Sequence, residues 1–205
     1  MYIGKIPTPV PLTSSDVADG IISNAKLAQD IISADTALAV APADTDEFLI
    51  SDAGTLKRID YSLIKASNTP AFSAYLSSDQ NSLSANTDHK ITINAEDFDT
   101  DGAFDHSTNY RFTPQTAGKY FFHGQIKCSL STANDFVAKI KKNGSDTKNR
   151  RMENVDQDAV DVSCVLDMNG SSDYVELFGR FTNTTFNAVA ESGVTTFFFG
   201  YRLIT

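Results

Sequence analysis

Short runs in which large apolar residues alternate with polar ones recur along this chain, separated by Gly, Asn, Asp and Pro. The clearest runs from Tyr110 to Ile126, where Phe112 is followed by Gly118, Tyr120 and Phe122. A period of two after a turn-forming glycine predicts a β-strand entering a core. Thr113-Pro114 ahead of it predicts an extended corner, because proline fixes φ and offers no N–H to a ladder. Repeated short strands between such turns predict an all-β sandwich or jelly roll.

The first third of the chain reads differently. Pro7, Pro9 and Pro11 alternate with Thr8, Val10 and Leu12, which predicts extended or polyproline chain over residues 1–18 without internal hydrogen bonds. Tyr2, Ile3, Ile6, Val10 and Leu12 would be wasted on a solvated linker, so the segment is expected to be a strap that pairs with a partner. Residues 19–40 then repeat, with Ile21-Ile22-Ser23 echoed by Ile31-Ile32-Ser33. Residues 46–64 predict a hairpin, EFLIS and TLKRIDY turning at Asp52-Ala53-Gly54. Neither piece can cover its own apolar residues, and an isolated hairpin is marginal in water. Ile21, Ile22, Ile31, Ile32, Phe48 and Ile50 are therefore expected at contacts between copies, closed around one axis as a homotrimer. Lys65–Pro70 is a polar break, so the expected units are 1–18, 19–66 and 70–205.

At 205 residues the chain can hold one or two domains with a real core. Fourteen Phe and seven Tyr against no Trp agree with β-structure. The net charge of −9 repels polyanions on average, so no nucleic acid is expected as a partner. No run approaches 18 apolar residues, and MYIGKIPTPVPL has no apolar signal region; neither membrane insertion nor secretion by a leader is expected. Synthesis in a cytoplasm follows. Cys128 and Cys164 fall in step with inward-looking positions and are expected to be buried and reduced.

FxxxxxGxYxF from Phe112 to Phe122 resembles the signature of the complement component 1q / tumour necrosis factor jelly-roll family. Pro70–Leu76, Ile91–Asn94, Asp97–Asp105, Val137–Gly144, Ser163–Leu177 and Thr195–Ile204 resemble that family's opening strand, second strand, acidic hairpin, strand with Asn-Gly turn, following hairpin and closing strand. Two departures are Gly124, where the family usually has another aromatic residue, and Phe104, slightly out of the usual spacing. The resemblance implies a trimeric head with Phe197, Phe199 and Tyr201 at the threefold contact. Residues 1–66 resemble the N-terminal and shaft parts of tail fibres of marine and cyanobacterial phages, which implies a homotrimer docked on a tail protein of adaptor or nozzle type. The expected fold is therefore mainly β: an extended attachment segment and short trimeric shaft, then a C-terminal β-sandwich jelly roll.

Candidate chemistry is sparse. Asp97–Gly102 reads DxDxDG, the opening of a calcium loop, but the twelfth position is Thr108 instead of the bidentate Glu. His89, His106 and His123 lack neighbouring ligands, and no nucleophile elbow, phosphate loop or HExxH motif occurs. No cofactor and no enzymatic activity are expected, a compact glycan-cleaving enzyme being the rival from another class. Six of the 17 basic residues fall between Lys139 and Arg151. Such a stretch is either a hairpin's solvated face or a patch for anionic groups of a bacterial surface, with Lys148, Arg150 and Arg151 as receptor-binding candidates. The function expected is that of a phage tail fibre on the virion, adsorbing to a host surface glycan or protein. The non-enzymatic rival is a virion decoration protein without a receptor.

Overall fold

The computed structural model describes residues 36–65, 67–129, 134–155 and 157–204. The expected strap, Tyr2, Ile3, Ile6, Val10 and Leu12, and the repeat isoleucines Ile21, Ile22, Ile31 and Ile32 lie outside them. The chain divides into two compact units at Lys65/Ala66.

The first unit contains the hairpin. Strands β1 (Glu47–Asp52) and β2 (Thr55–Asp60) pair antiparallel, closed by Asp52 opposite Thr55. Ala53 and Gly54 both have positive φ, 49° and 85°, the two-residue turn whose twist matches the strands it joins. Phe48 stands opposite Ile59 and Ile50 opposite Lys57 on one face; Leu49 and Leu56 lie on the other. Neither face is covered among the described residues: Leu49 is 74% and Leu56 69% exposed, and Phe48 and Ile50 remain over a third exposed.

The second unit is a two-sheet sandwich. In chain order its strands are β3 (Ala71–Tyr75), β4 (Gln80–Leu83), β5 (His89–Lys90), β6 (Ala95–Asp99), β7 (Phe104–Asp105), β8 (Arg111–Phe112) and β9 (Ala117–Ser129). They continue with β10 (Asn134–Lys142), β11 (Ser145–Val155), β12 (Ala159–Asn169), β13 (Val175–Phe181), β14 (Phe186–Ala188) and β15 (Phe197–Arg202). One sheet runs β11-β10-β13-β8-β7, with β5 also on β13. In the other, β9 is central, flanked by β12 on one edge and by β15 and β14 on the other; β15 continues to β3 and β6. Because β9, β12 and β15 alternate with strands of the opposite sheet, the chain passes repeatedly across the sandwich. That is jelly-roll topology.

The pattern around β9 positions the core. Phe112, Tyr120 and Phe122 are fully buried with Phe72 and Phe198, and the Phe72 and Phe112 rings stack at 4.4 Å. A second aromatic cluster, Phe136, Phe181 and Phe186, fills the other end. Gly118 has φ of 153°, and a Cβ there would meet Arg202 Nε at 2.9 Å. The Tyr120 hydroxyl donates to the Thr116 carbonyl at 2.7 Å, which satisfies the one polar atom the tyrosine brings inside.

Three of the strand expectations change. Ile91–Asn94 is not a strand: Ile91 and Ile93 are buried, but this segment carries the chain from β5 in one sheet to β6 in the other. Asp97–Asp105 and Ser163–Leu177 are corners between sheets instead of hairpins, since β6 and β7, and β12 and β13, lie on opposite layers. Asn143-Gly144 does close a hairpin, with φ of 52° and 77°, between β10 and β11.

Candidate functional site

Residues on the outer face of the β9 sheet form an aromatic surface. Inward Tyr120, Phe122 and Phe198 alternate with outward Phe121, His123, Phe197, Phe199 and Tyr201, as a period of two requires. Register places Phe199 between His123 and Ser73, and Tyr201 beside Phe121, which faces Val165 on β12. The rings are neighbours: His123–Phe199 5.2 Å, Phe121–Tyr201 5.6 Å, His123–Phe197 5.8 Å and Phe197–Phe199 6.2 Å. All five are half-buried, and Val165 is 50% exposed. Phe197, Phe199 and Tyr201, expected at the threefold contact, thus share one row. Phe121 and His123 were missed, although FFHGQI carries aromatic residues in both phases of the alternation.

The basic stretch is split by the strand it lies on. Lys148 and Arg150 alternate with Asn149 and Arg151 along β11, so the three receptor candidates do not form one group. Lys148 and Arg150 line a cavity of about 320 Å³ with Asp161, Val162 and Ser163 of β12, and Arg150 pairs with Asp161 at 2.5 Å. Arg151 lines a separate cavity of about 290 Å³ with Val137, Lys139, Asn149, Arg180 and Thr182. Arg151 pairs with Asp135.

Lys139 and Lys141, one strand inward, are committed to structure. The Lys139 ammonium donates to Asp88 at 2.9 Å and Asp146 at 2.8 Å, and Lys141 reaches Asp88 at 2.8 Å. Burial pushes the Asp88 carboxyl up, but the hydrogen bonds from Lys141 and Lys139 outweigh it and hold the pKa below its ordinary value.

The DxDxDG segment spends its oxygens on the chain itself. Asp99 accepts the Asp101 and Phe104 amides at 3.2 and 2.7 Å, and Asp97 accepts the Ser73 hydroxyl at 2.8 Å. Among the described residues no group of three or more His, Cys, Asp or Glu converges as a metal site. His106 Nδ1 lies 2.7 Å from Glu96, and His89 lies edge-on to Phe186. Cys128 and Cys164 are buried and unbridged, and burial pushes the Cys164 thiol up to about 11. No described helix is long and apolar enough to cross a membrane.

A two-sheet jelly roll with an aromatic outer face, preceded by a hairpin unit, is the class of protein these features define. The sequence matches no family model and no curated protein. The fold is similar to that of solved jelly-roll domains. The globular domain of zebrafish complement 1qA protein is 15% identical, with 66% of this chain and 98% of that chain covered and a TM-score of 0.47. Murine APRIL is 9% identical over 65% of this chain and 98% of its own, with a TM-score of 0.50. PRD1 vertex protein P5 is 11% identical over 92% of this chain and 98% of its own, also with a TM-score of 0.50.

Proposed function

We propose that the chain is a non-enzymatic virion protein: a homotrimeric fibre that docks through residues 1–18, has a short shaft over 19–66, and presents the jelly-roll head to a host surface. The observation that carries this is the aromatic row Phe121, His123, Phe197, Phe199 and Tyr201, with Val165 beside it, on a protein of net charge −9. An apolar surface of this kind is sparingly tolerated on a free monomer and marks an interaction site. The hairpin has the same deficit at Phe48 and Ile50. Burying each such side chain is worth roughly 1.5–3 kcal/mol, and closed rotational symmetry covers a surface of this kind without runaway association.

The likeness to a vertex protein, spanning nearly the whole chain, supports placement on a virus particle and makes a vertex dock an alternative to a tail dock. A decoration protein with the same trimer but no receptor is the second reading. Light scattering on purified protein is expected to give three times 22.3 kDa; a stable monomer at micromolar concentration contradicts the fibre. Removal of residues 1–18 is expected to leave the head folded and the particles without the protein. An antibody to the head separates the two readings, since it blocks adsorption only if the head meets the host.

A further inference from the structure

The cavity on the outer face of the β11-β10-β13 sheet is built by register. Val137 on β10 stands directly between Arg151 on β11 and Arg180 on β13. Lys139 and Asn149, opposite each other, form the next row, and Thr182 closes the far side. Three of the six lining side chains are cationic on a strongly acidic protein.

Their charges are not equally spoken for. Lys139 is held by Asp88 and Asp146, and Arg151 by Asp135, with Glu153 at 3.8 Å. Arg180 has no carboxylate, hydrogen-bond acceptor or aromatic ring against it among the described residues. Arg180 is thus the lining cation without an ion pair among the described residues, and its planar fork suits an oxyanion. The carboxylates Asp88, Asp146, Asp135 and Glu153 already standing around Lys139 and Arg151 disfavour a dianionic phosphate monoester by like-charge repulsion and favour a single negative charge. Around the charge, the Asn149 amide and Thr182 hydroxyl are suited to sugar hydroxyls, and Val137 supplies an apolar floor for ring C–H groups.

We propose that this cavity binds a monoanionic saccharide unit, a sugar carrying a carboxylate or a sulfate ester, with Arg180 as the anchoring residue. The role rests on the reading of the head as the part that meets a host surface. Lys148 and Arg150 lie outside the site.

The test uses the full-length protein and three immobilised polymers: polyglucuronate, a sulfated dextran, and unmodified dextran. The expected result is salt-sensitive binding to one or both anionic polymers and none to dextran; preference between the two identifies the anionic group. Arg180→Gln is expected to weaken binding tenfold or more, as loss of a charge-assisted contact does. Arg180→Lys should recover part of it, and Lys148→Gln should bind as the original does. Thermal melting serves as the control, because Arg180 has no partner to lose among the described residues. No binding to either anionic polymer, or equal losses in Arg180→Gln and Lys148→Gln, overturns the site. Adsorption of particles carrying Arg180→Gln tests the other reading separately: lost polymer binding with normal adsorption keeps the site and removes its role on the host.

Discussion

Leu177 fills the space that a side chain on Gly124 would occupy: its Cδ1 lies 2.5 Å from where a Cβ would stand. The two residues come from opposite sheets, Gly124 from β9 and Leu177 from β13, and both are buried. At this position the resembling family usually carries an aromatic side chain, so the volume is supplied here from across the core. Close packing leaves room for one of the two and not both.

This exchange can be measured. Gly124→Ala is expected to cost about 1–3 kcal/mol by overpacking, and Leu177→Ala about 2–5 kcal/mol through the cavity it leaves. Combined, they should cost clearly less than the sum, since each relieves the other's defect. Urea unfolding at one fixed protein concentration checks this; simple additivity would mean that the two sites do not share the space.

A charge on the aromatic face should separate assembly from folding. Phe199→Asp removes an outward ring and leaves inward Phe198 and Phe122 in place. The variant is expected to elute at 22.3 kDa with an unchanged β-type circular dichroism spectrum. Each copy forfeits roughly 1.5–3 kcal/mol of burial, multiplied around the axis. An undiminished oligomer would locate the contact elsewhere.

How much of this was legible in the sequence depended on whether neighbours along the chain decide the outcome. Phe112, Gly118, Tyr120 and Phe122 announced a strand because period-two burial is local, and Ala53-Gly54 and Asn143-Gly144 announced turns because positive φ is local. Ile91 and Ile93 alternate just as well, yet the backbone there crosses between sheets, a matter of which partners lie on either side. The corner at Asn169 uses ordinary turn chemistry, its Oδ1 accepting the amides of Ser171, Ser172 and Asp173, and such a loop serves a corner or a hairpin alike. The basic stretch shows the same limit most plainly. Arg150 and Arg151 are adjacent in sequence and opposite in space, whereas Arg180 joins Arg151 only through the register of β10.

Asp105 holds the loop after β7 through a set of bonds from the Thr108, Ser107 and Asn109 amides and the Asn109 side chain, at 2.7–3.1 Å. The Thr108 amide is the largest of the influences that hold its carboxyl well below the ordinary range. A depressed folded pKa contributes stability that is complete above the unfolded value near 3.9 and lost as pH falls through the folded one. Asp105→Asn is therefore expected to lower the melting temperature by about 2–4 °C at pH 7, one net hydrogen bond's worth. The gap between the two proteins should narrow below about pH 4. A gap independent of pH would assign the loss to shape instead of charge.

The paired lysines of β10, beside β11, allow a sharper test, because burial ranks the partners. The Asp88 carboxylate, 23% exposed, takes both ammonium groups, whereas Asp146, bonded to the same two, is 44% exposed. Lys141 also lies over the Phe178 ring at 4.4 Å, so neither cation can swing freely to water. Burial alone would lower the Lys141 pKa, but Asp88 and Asp146 reverse this and leave it raised; the hydrogen bond from Lys139 leads in lowering that of Asp146. With both carboxyls depressed and Lys141 raised, the network's contribution is full from about pH 5 to pH 10. It fades as pH falls through the folded carboxyl values, and at the other end as pH rises through the raised lysine value. Asp88→Asn strands the buried Lys139 and the largely buried Lys141 on one exposed carboxylate and should cost about 1–3 kcal/mol at pH 7. Asp146→Asn should cost less, since water can replace it. Urea unfolding at pH 7 should place the variants in that order, and at pH 3 the Asp88→Asn deficit should shrink. The reverse order would mean that Asp146, through its place beside the Asn143-Gly144 turn, is the partner that holds the lysines.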